Sequence, residues 1–289
     1  MNKRFSERLG FVEVNKELQI ESMNDDLRNS LWNLIYRCCN KIDATYKKNK
    51  PLGSRTYKCW SKYAEFCAFH YFKVAIDSKD IQLSRQMWLK NSFYKLTWLE
   101  VLDLVELSTN KFFCSYKGIL SDLEQDFNHI LERELSGYRF INGLLAPITN
   151  ESEINSINEA IKFSSNYEKL KGVHEHIKMA LTKLSLKPEP DYRNSIKESV
   201  SAVESLVRKI SGKSKLSESL KFMNTKFNLH TCLQLGFEKL YNYSSDENGI
   251  RHAILDESDI GFDEAKYMLV SCSAFINYLI SKANKYNLI

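Results

Sequence analysis

Apolar residues recur every three or four positions through most of this chain, the spacing that places them on one face of an α-helix. The first such stretch begins after Asn24 and is predicted to form an amphipathic helix that ends near the lysines at 47–50. Its apolar face comprises Leu27, Leu31, Leu34 and Ile35. The same spacing predicts further helices over 55–76, 85–108, 164–186, 191–210, 216–222, 229–241 and 262–286.

One segment departs from the helical pattern. Two short apolar runs between 138 and 148 flank Asn142 and Gly143, the residue pair that most readily supplies two positive φ angles. We therefore predict a single β-hairpin here. Pro147 ends it, and Asn150 is placed to cap the helix that follows.

Composition agrees with a mainly all-α fold of ordinary globular character. The 289 residues include only ten glycines and four prolines, too few for a protein of many strands and tight turns, and the length suffices for two modest cores. No segment reaches the roughly 18 apolar residues of a membrane span. A cytoplasmic protein without membrane contact is expected.

The seven cysteines are scattered and include no Cys-x-x-Cys pair. Neither a disulfide framework nor a metal site is expected, and Cys272, on the apolar face of the last helix, is interpreted as a buried thiol.

Positive charge is concentrated in residues 41–98, where twelve Lys or Arg residues stand against four Asp or Glu residues. Lys47, Lys48, Lys50 and Arg55 are close enough along the chain to contact the phosphates of RNA. A solvated helix face is the other interpretation of this region. The aromatic residues at helical spacing within it are expected to belong to a hydrophobic core.

Sequence motifs for most enzyme classes are missing, including phosphate-binding loops, serine nucleophile elbows and zinc-protease helices. The adjacent pair Arg251 and His252 remains. Histidine can move protons near neutral pH and arginine can neutralise a reacting phosphate, so together they could cleave RNA without metal. A helix cap, or an ion pair with Asp246 or Asp256, is the structural alternative.

A family resemblance rests on several longer motifs. In the second half they are Asp191–Ser199 with Ala202–Glu204, Gly249–Ala253 and Met268–Leu279. Over about 166–289 the chain resembles the C-terminal HEPN domain of AbiJ-type bacterial abortive-infection proteins. The front half resembles an N-terminal domain of such proteins through Phe5–Arg8 with Gly10, Met23–Asn29, Ser136–Phe140 and Pro147–Thr149. The resemblance implies an AbiJ-like helical domain over 1–165, with a sensing or recruiting role, and a HEPN helical bundle over 166–289.

The resemblance also implies an activity. HEPN domains form dimers that bring two Arg/His motifs into one cleft, which cuts RNA without a metal ion or other cofactor. The expected protein is thus a homodimeric antiphage endoribonuclease that acts on RNA and responds to a phage-derived or partner-protein trigger.

The site residues follow from that motif only in part. Arg251 matches the motif arginine, whereas the usual histidine, which follows after four to six intervening residues, is replaced by Asp256, Glu257 and Ser258. The candidate partners of Arg251 are His252 and Glu198. Glu198 lies on an earlier helix that also carries Asn194 and Glu204. The alternative is a non-catalytic HEPN module that binds RNA, nucleotide or a partner protein.

Overall fold

The computed structural model describes residues 18–48, 58–186, 189–245 and 260–289. These residues form twelve α-helices and one two-stranded antiparallel sheet, which confirms the mainly all-α class. The chain divides into two compact units, Met1–Pro147 and Ile148–Ile289. Each unit has its own buried core and is described by itself.

The first unit contains a helical core with one hairpin. Its helices are α1 (Asp25–Lys48), α2 (Cys59–Cys67), α3 (Lys79–Leu83), α4 (Arg85–Phe93), α5 (Trp98–Leu107) and α6 (Leu123–Arg133), followed by β1 (Arg139–Ile141) and β2 (Leu144–Ala146). Aromatic side chains fill its centre, as expected from their spacing. Tyr63 is fully buried, with its hydroxyl 2.8 Å from Oγ of Ser108 and its ring 5.0 Å from that of Phe112.

Local interactions account for where α1 begins and where the predicted helix over 85–108 divides. Asn24 caps α1 because its Oδ1 accepts the N–H of Leu27 at 2.9 Å. The stretch 85–108 forms two helices, α4 and α5, since Thr97 and Glu100 build a reciprocal cap: Oε2 of Glu100 accepts the Thr97 N–H at 2.7 Å, and Oγ1 of Thr97 accepts the Glu100 N–H at 3.4 Å.

The predicted hairpin is confirmed. Strands β1 and β2 pair antiparallel with Phe140 opposite Leu145, and the turn places Asn142 at φ +49° and Gly143 at φ +82°. The side chain of Asn128 on α6 holds the hairpin, because its Oδ1 accepts the Phe140 N–H at 2.6 Å and its Nδ2 donates to the Phe140 carbonyl at 2.9 Å. A two-stranded sheet that is only marginally stable alone is thereby fixed to a helix.

Replacing Gly143 by alanine is expected to destabilise the first unit by about 1–2 kcal/mol, the cost of a left-handed conformation in a residue with a Cβ. The new methyl would also lie 2.8 Å from Oδ1 of Asn110, whose Nδ2 donates to the Gly143 carbonyl at 2.6 Å. Urea unfolding followed by tryptophan fluorescence measures this, since all four tryptophans, at 32, 60, 88 and 98, belong to the first unit.

The neighbouring substitution Asn142→Gly is the control, because glycine adopts the same positive φ without strain. It should leave the unfolding midpoint close to that of the wild type. Equal midpoints for Gly143→Ala and the wild type would contradict the prediction.

The described residues of the second unit form a four-helix bundle with two further helices. Its elements are α7 (Glu151–Ser165), α8 (Lys171–Ser185), α9 (Tyr192–Ser211), α10 (Leu216–Phe227), α11 (Thr231–Ser245) and α12 (Phe262–Lys285). Helix α9 packs against α8 and α12, and α7 packs against the same two helices, so these four enclose the core. The apolar stripe predicted on α9 is buried: Ile196, Val200, Val203, Val207 and Ile210.

Helix α7 bears on the division of the chain. Asn150 caps it as predicted, because Oδ1 accepts the N–H groups of Ser152 at 2.9 Å and Glu153 at 3.2 Å. By its contacts α7 lies in the second compact unit, whereas the boundary predicted from sequence falls after it, between 165 and 166. A compact unit defined by contacts need not coincide with an inherited domain. The boundary between 165 and 166 therefore stays a prediction.

Candidate acid-base site in the second unit

Polar contacts join α8 to the first half of α9. From one end to the other, Nζ of Lys183 contacts Oδ2 of Asp191 at 3.1 Å, Oγ of Ser195 donates to the Ala180 carbonyl at 2.8 Å, and His176 contacts Glu198 at 2.6 Å. Residue numbers fall on α8 as they rise on α9, so the two helices are antiparallel. The polar face of α9 that carries Glu198 therefore meets α8.

The His176 and Glu198 pair is the part of this seam that can move protons. Nδ1 of His176 lies 2.6 Å from Oε2 of Glu198, and the two side chains are 37% and 16% exposed. An ionised carboxylate can only accept, so Nδ1 is the donor and Nε2 remains to take or give a proton. A carboxylate that holds the far nitrogen of a histidine both orients the ring and stabilises its protonated form.

At the other end of the seam, Asp191 has a structural role. It caps α9 through Asn194, whose N–H lies 3.2 Å from Oδ1 and whose Nδ2 lies 2.8 Å from Oδ2. Burial acts to raise the pKa of Asp191, but hydrogen bonds from Asn194 and Lys183 outweigh it and hold this pKa below its usual value. The cap is thus fully stabilising above the unfolded-state pKa, and its contribution is lost as the pH falls through the lower folded pKa.

The three polar residues of α9 that the sequence indicates, Asn194, Glu198 and Glu204, make different contacts. Asn194 is engaged in the cap, and Glu204 lies 3.7 Å from Arg208 one turn along the same helix. Of the three, Glu198 is the one that contacts a histidine.

Most of the other predicted site residues lie outside the described residues. These are Lys50, Arg55, Arg251 and His252. Lys47 and Lys48 are exposed in the last turn of α1, where positive charge is also favourable beside the helix C-terminus.

His176 is the functional candidate that sequence analysis missed. His174 and His176 are two positions apart on α8 and face different neighbours: Nδ1 of His174 lies 3.1 Å from the Ile161 carbonyl. A usable signal was the short connection 186–190, which predicts antiparallel helices. Counting outward from it places residue 176 opposite residue 200, less than one helical turn from residue 198.

In the described ranges, no three His, Cys, Asp or Glu side chains are placed to hold a metal ion. None of the helices within those ranges is long and apolar enough to cross a membrane. Cys272 is buried as predicted, and burial raises the pKa of its thiol to about 12.

Comparison with known proteins identifies the front half. A family model described as AbiJ N-terminal domain 4 matches residues 3–162, more than half of the 289-residue chain. The chain belongs to this AbiJ family. AbiJ domains indicate an abortive-infection, phage-defence context. No curated protein matches the chain, and no solved structure does.

The match to the AbiJ family confirms the resemblance stated for the front half of the chain. It ends before α8 and therefore does not cover His176 or Glu198.

Proposed function

We propose that this AbiJ-family chain is an antiphage abortive-infection effector, a metal-independent endoribonuclease whose HEPN domain spans 166–289. The AbiJ domain supports the defence context. The observation that carries the chemistry is the hydrogen-bonded pair of His176 and Glu198, an acid-base group held by a carboxylate in the second unit. RNA is the substrate, and the HEPN domains of two copies form the working dimer.

Cleavage needs one group that moves protons and one that carries positive charge. Nε2 of His176 removes the proton of a ribose 2′-hydroxyl, and the resulting oxygen attacks the adjacent phosphorus. The bond from phosphorus to the 5′ oxygen breaks, and a protonated histidine returns a proton to that oxygen. The products are a 2′,3′-cyclic phosphate and a free 5′-hydroxyl. Glu198 stabilises the imidazolium between the two transfers.

Arginine supplies the charge. Arg251, the residue that matches the HEPN motif, neutralises the phosphate as the pentavalent centre forms. The motif position for a second catalytic residue holds Asp256, Glu257 and Ser258 in this sequence. In our proposal His176 takes that function, with His252 beside Arg251 as the other histidine that could serve it.

RNA contact outside the reacting centre is assigned to the basic segment at the end of α1. Lys47, Lys48, Lys50 and Arg55 contact phosphates there, and the AbiJ domain senses or recruits the trigger. Because each phosphate contact releases counterions, binding through this segment should weaken as salt concentration rises.

Incubation of the purified full chain with total RNA in excess EDTA tests the activity. Cleavage is expected to persist in EDTA, since no step requires a metal, and to be lost in Arg251→Ala. Cleavage that stops in EDTA, or that is unchanged in Arg251→Ala, would contradict the proposal.

A non-catalytic HEPN module that binds RNA, nucleotide or a partner protein is the second candidate. The absence of histidine at 256–258 favours it. Expression of the wild type and of Arg251→Ala in a bacterial host separates the two functions, because toxicity that depends on Arg251 is expected only of the nuclease.

A further inference from the structure

A groove runs along the seam between α1 and α6 in the first unit. It consists of two adjoining cavities of about 440 and 410 Å³. They are continuous, because both are lined by Leu34, Arg37, Ile130 and Arg133. Cavities of this size are within the range that holds small molecules, roughly 300–1,000 Å³.

The floor of the groove is apolar and its rim is cationic. The floor comprises Leu34, Cys38, Leu120 and Ile130. Arg37 and Lys41, one helical turn apart on α1, line one side. His129 and Arg133, one helical turn apart on α6, line the other side. Among the residues that line the larger cavity, Asp126 is the one acid.

The cations on α1 are available for a ligand. Both Arg37 and Lys41 are exposed, and within the described ranges no carboxylate lies within 4.0 Å of either charged group. Arg133 is instead fixed in place, since its Nε lies 2.7 Å from Oε1 of Glu134 and its Nη2 lies 2.8 Å from Oγ of Ser30. A guanidinium has five N–H donors, and these two contacts use two of them.

The thiol in the floor is not a reactive group. Burial raises the pKa of Cys38 to about 12, and the charge of Asp126 acts in the same direction against the opposing effect of Lys41 and Arg37. Cys38 therefore stays protonated at neutral pH and presents a small uncharged surface.

We infer that the groove between α1 and α6 is a binding site for a phosphorylated ribonucleotide. Arg37, Lys41 and Arg133 contact the phosphate, the base lies on the apolar floor, and Asp126 accepts a hydrogen bond from an amino group of the base. A free nucleotide and a nucleotide within an RNA strand present the same chemistry to these side chains. The site belongs to the first unit, so it can be present whether or not the second unit cleaves RNA.

Isothermal titration of the full chain tests this site with two separate probes. One is ATP, and the other is a short 2′-O-methylated oligoadenylate, which cannot be cleaved because its 2′ oxygen carries no proton. The double substitution Arg37→Glu and Lys41→Glu should weaken binding of each probe that the wild type binds by about tenfold or more, since charge-assisted hydrogen bonds are replaced by repulsion. Both side chains are exposed, so the fold should be retained.

The matched control reverses two other exposed cations of the same unit, Lys79 and Lys95. With the same change in net charge, it should bind within about twofold of the wild type if the groove itself is recognised. Binding of ATP alone assigns a free nucleotide, binding of the oligonucleotide alone assigns an RNA strand, and binding of both assigns the shared phosphate and base. No binding of either probe at millimolar concentration, or equal losses in both double variants, would overturn the inference.

Discussion

Replacing His176 by alanine is expected to lower the rate of RNA cleavage by about a hundredfold to ten-thousandfold, the contribution of a positioned acid-base group. The imidazole is the group that exchanges protons with the 2′-hydroxyl in the proposed reaction, and alanine leaves nothing in its place. Glu198→Gln should also slow cleavage, because an amide neither fixes the ring with a charged acceptor nor stabilises the imidazolium. Initial rates on a labelled RNA in EDTA measure both effects.

His174→Ala is the matched control for this prediction. It removes the same side chain two residues away on α8, where Nδ1 contacts the Ile161 carbonyl and not a carboxylate. Cleavage by this variant should be close to that of the wild type. If His176→Ala cleaves at the wild-type rate while Arg251→Ala is inactive, the acid-base group lies elsewhere, and His252→Ala becomes the next variant to measure.

Replacing Phe127 by alanine is expected to lower the free energy of unfolding of the first unit by about 3–5 kcal/mol, the range for truncating a buried phenylalanine. Phe127 lies on α6 with no exposed surface, and its ring centroid is 5.6 Å from that of Phe140 in the hairpin. The truncation leaves a cavity between helix and hairpin that neither element can close alone. Tryptophan fluorescence in urea follows this unit specifically.

Gln125→Ala, two residues earlier on α6, provides the comparison. Its side chain is exposed, and alanine is a good helix former, so the unfolding midpoint should change little. Similar losses of stability in both variants would show that the helix, and not the buried ring, had been perturbed.

The sequence alone could not show that the members of either functional group lie close together. His176 and Glu198 are 22 positions apart, and each by itself is an ordinary polar residue on an amphipathic helix. The groove cations are still further apart, with Arg37 on α1 and Arg133 on α6. Helix α6 was not predicted, although Leu123, Phe127 and Leu131 follow helical spacing and are buried. Recognition of that helix would still not have indicated that it lies beside α1.

The amino-acid sequence alone determined the features that depend on neighbours a few residues away. It predicted α1, the Asn142-Gly143 hairpin, the cap at Asn150 and the buried stripe of α9, because backbone torsion, capping and one-sided burial are encoded within one or two turns of chain. Only the tertiary structure decided that His176 faces Glu198, and that Arg37 and Arg133 share a groove. Such pairings depend on which helices pack together and in what register, and that is settled by the summed burial of whole faces and not by any local pattern.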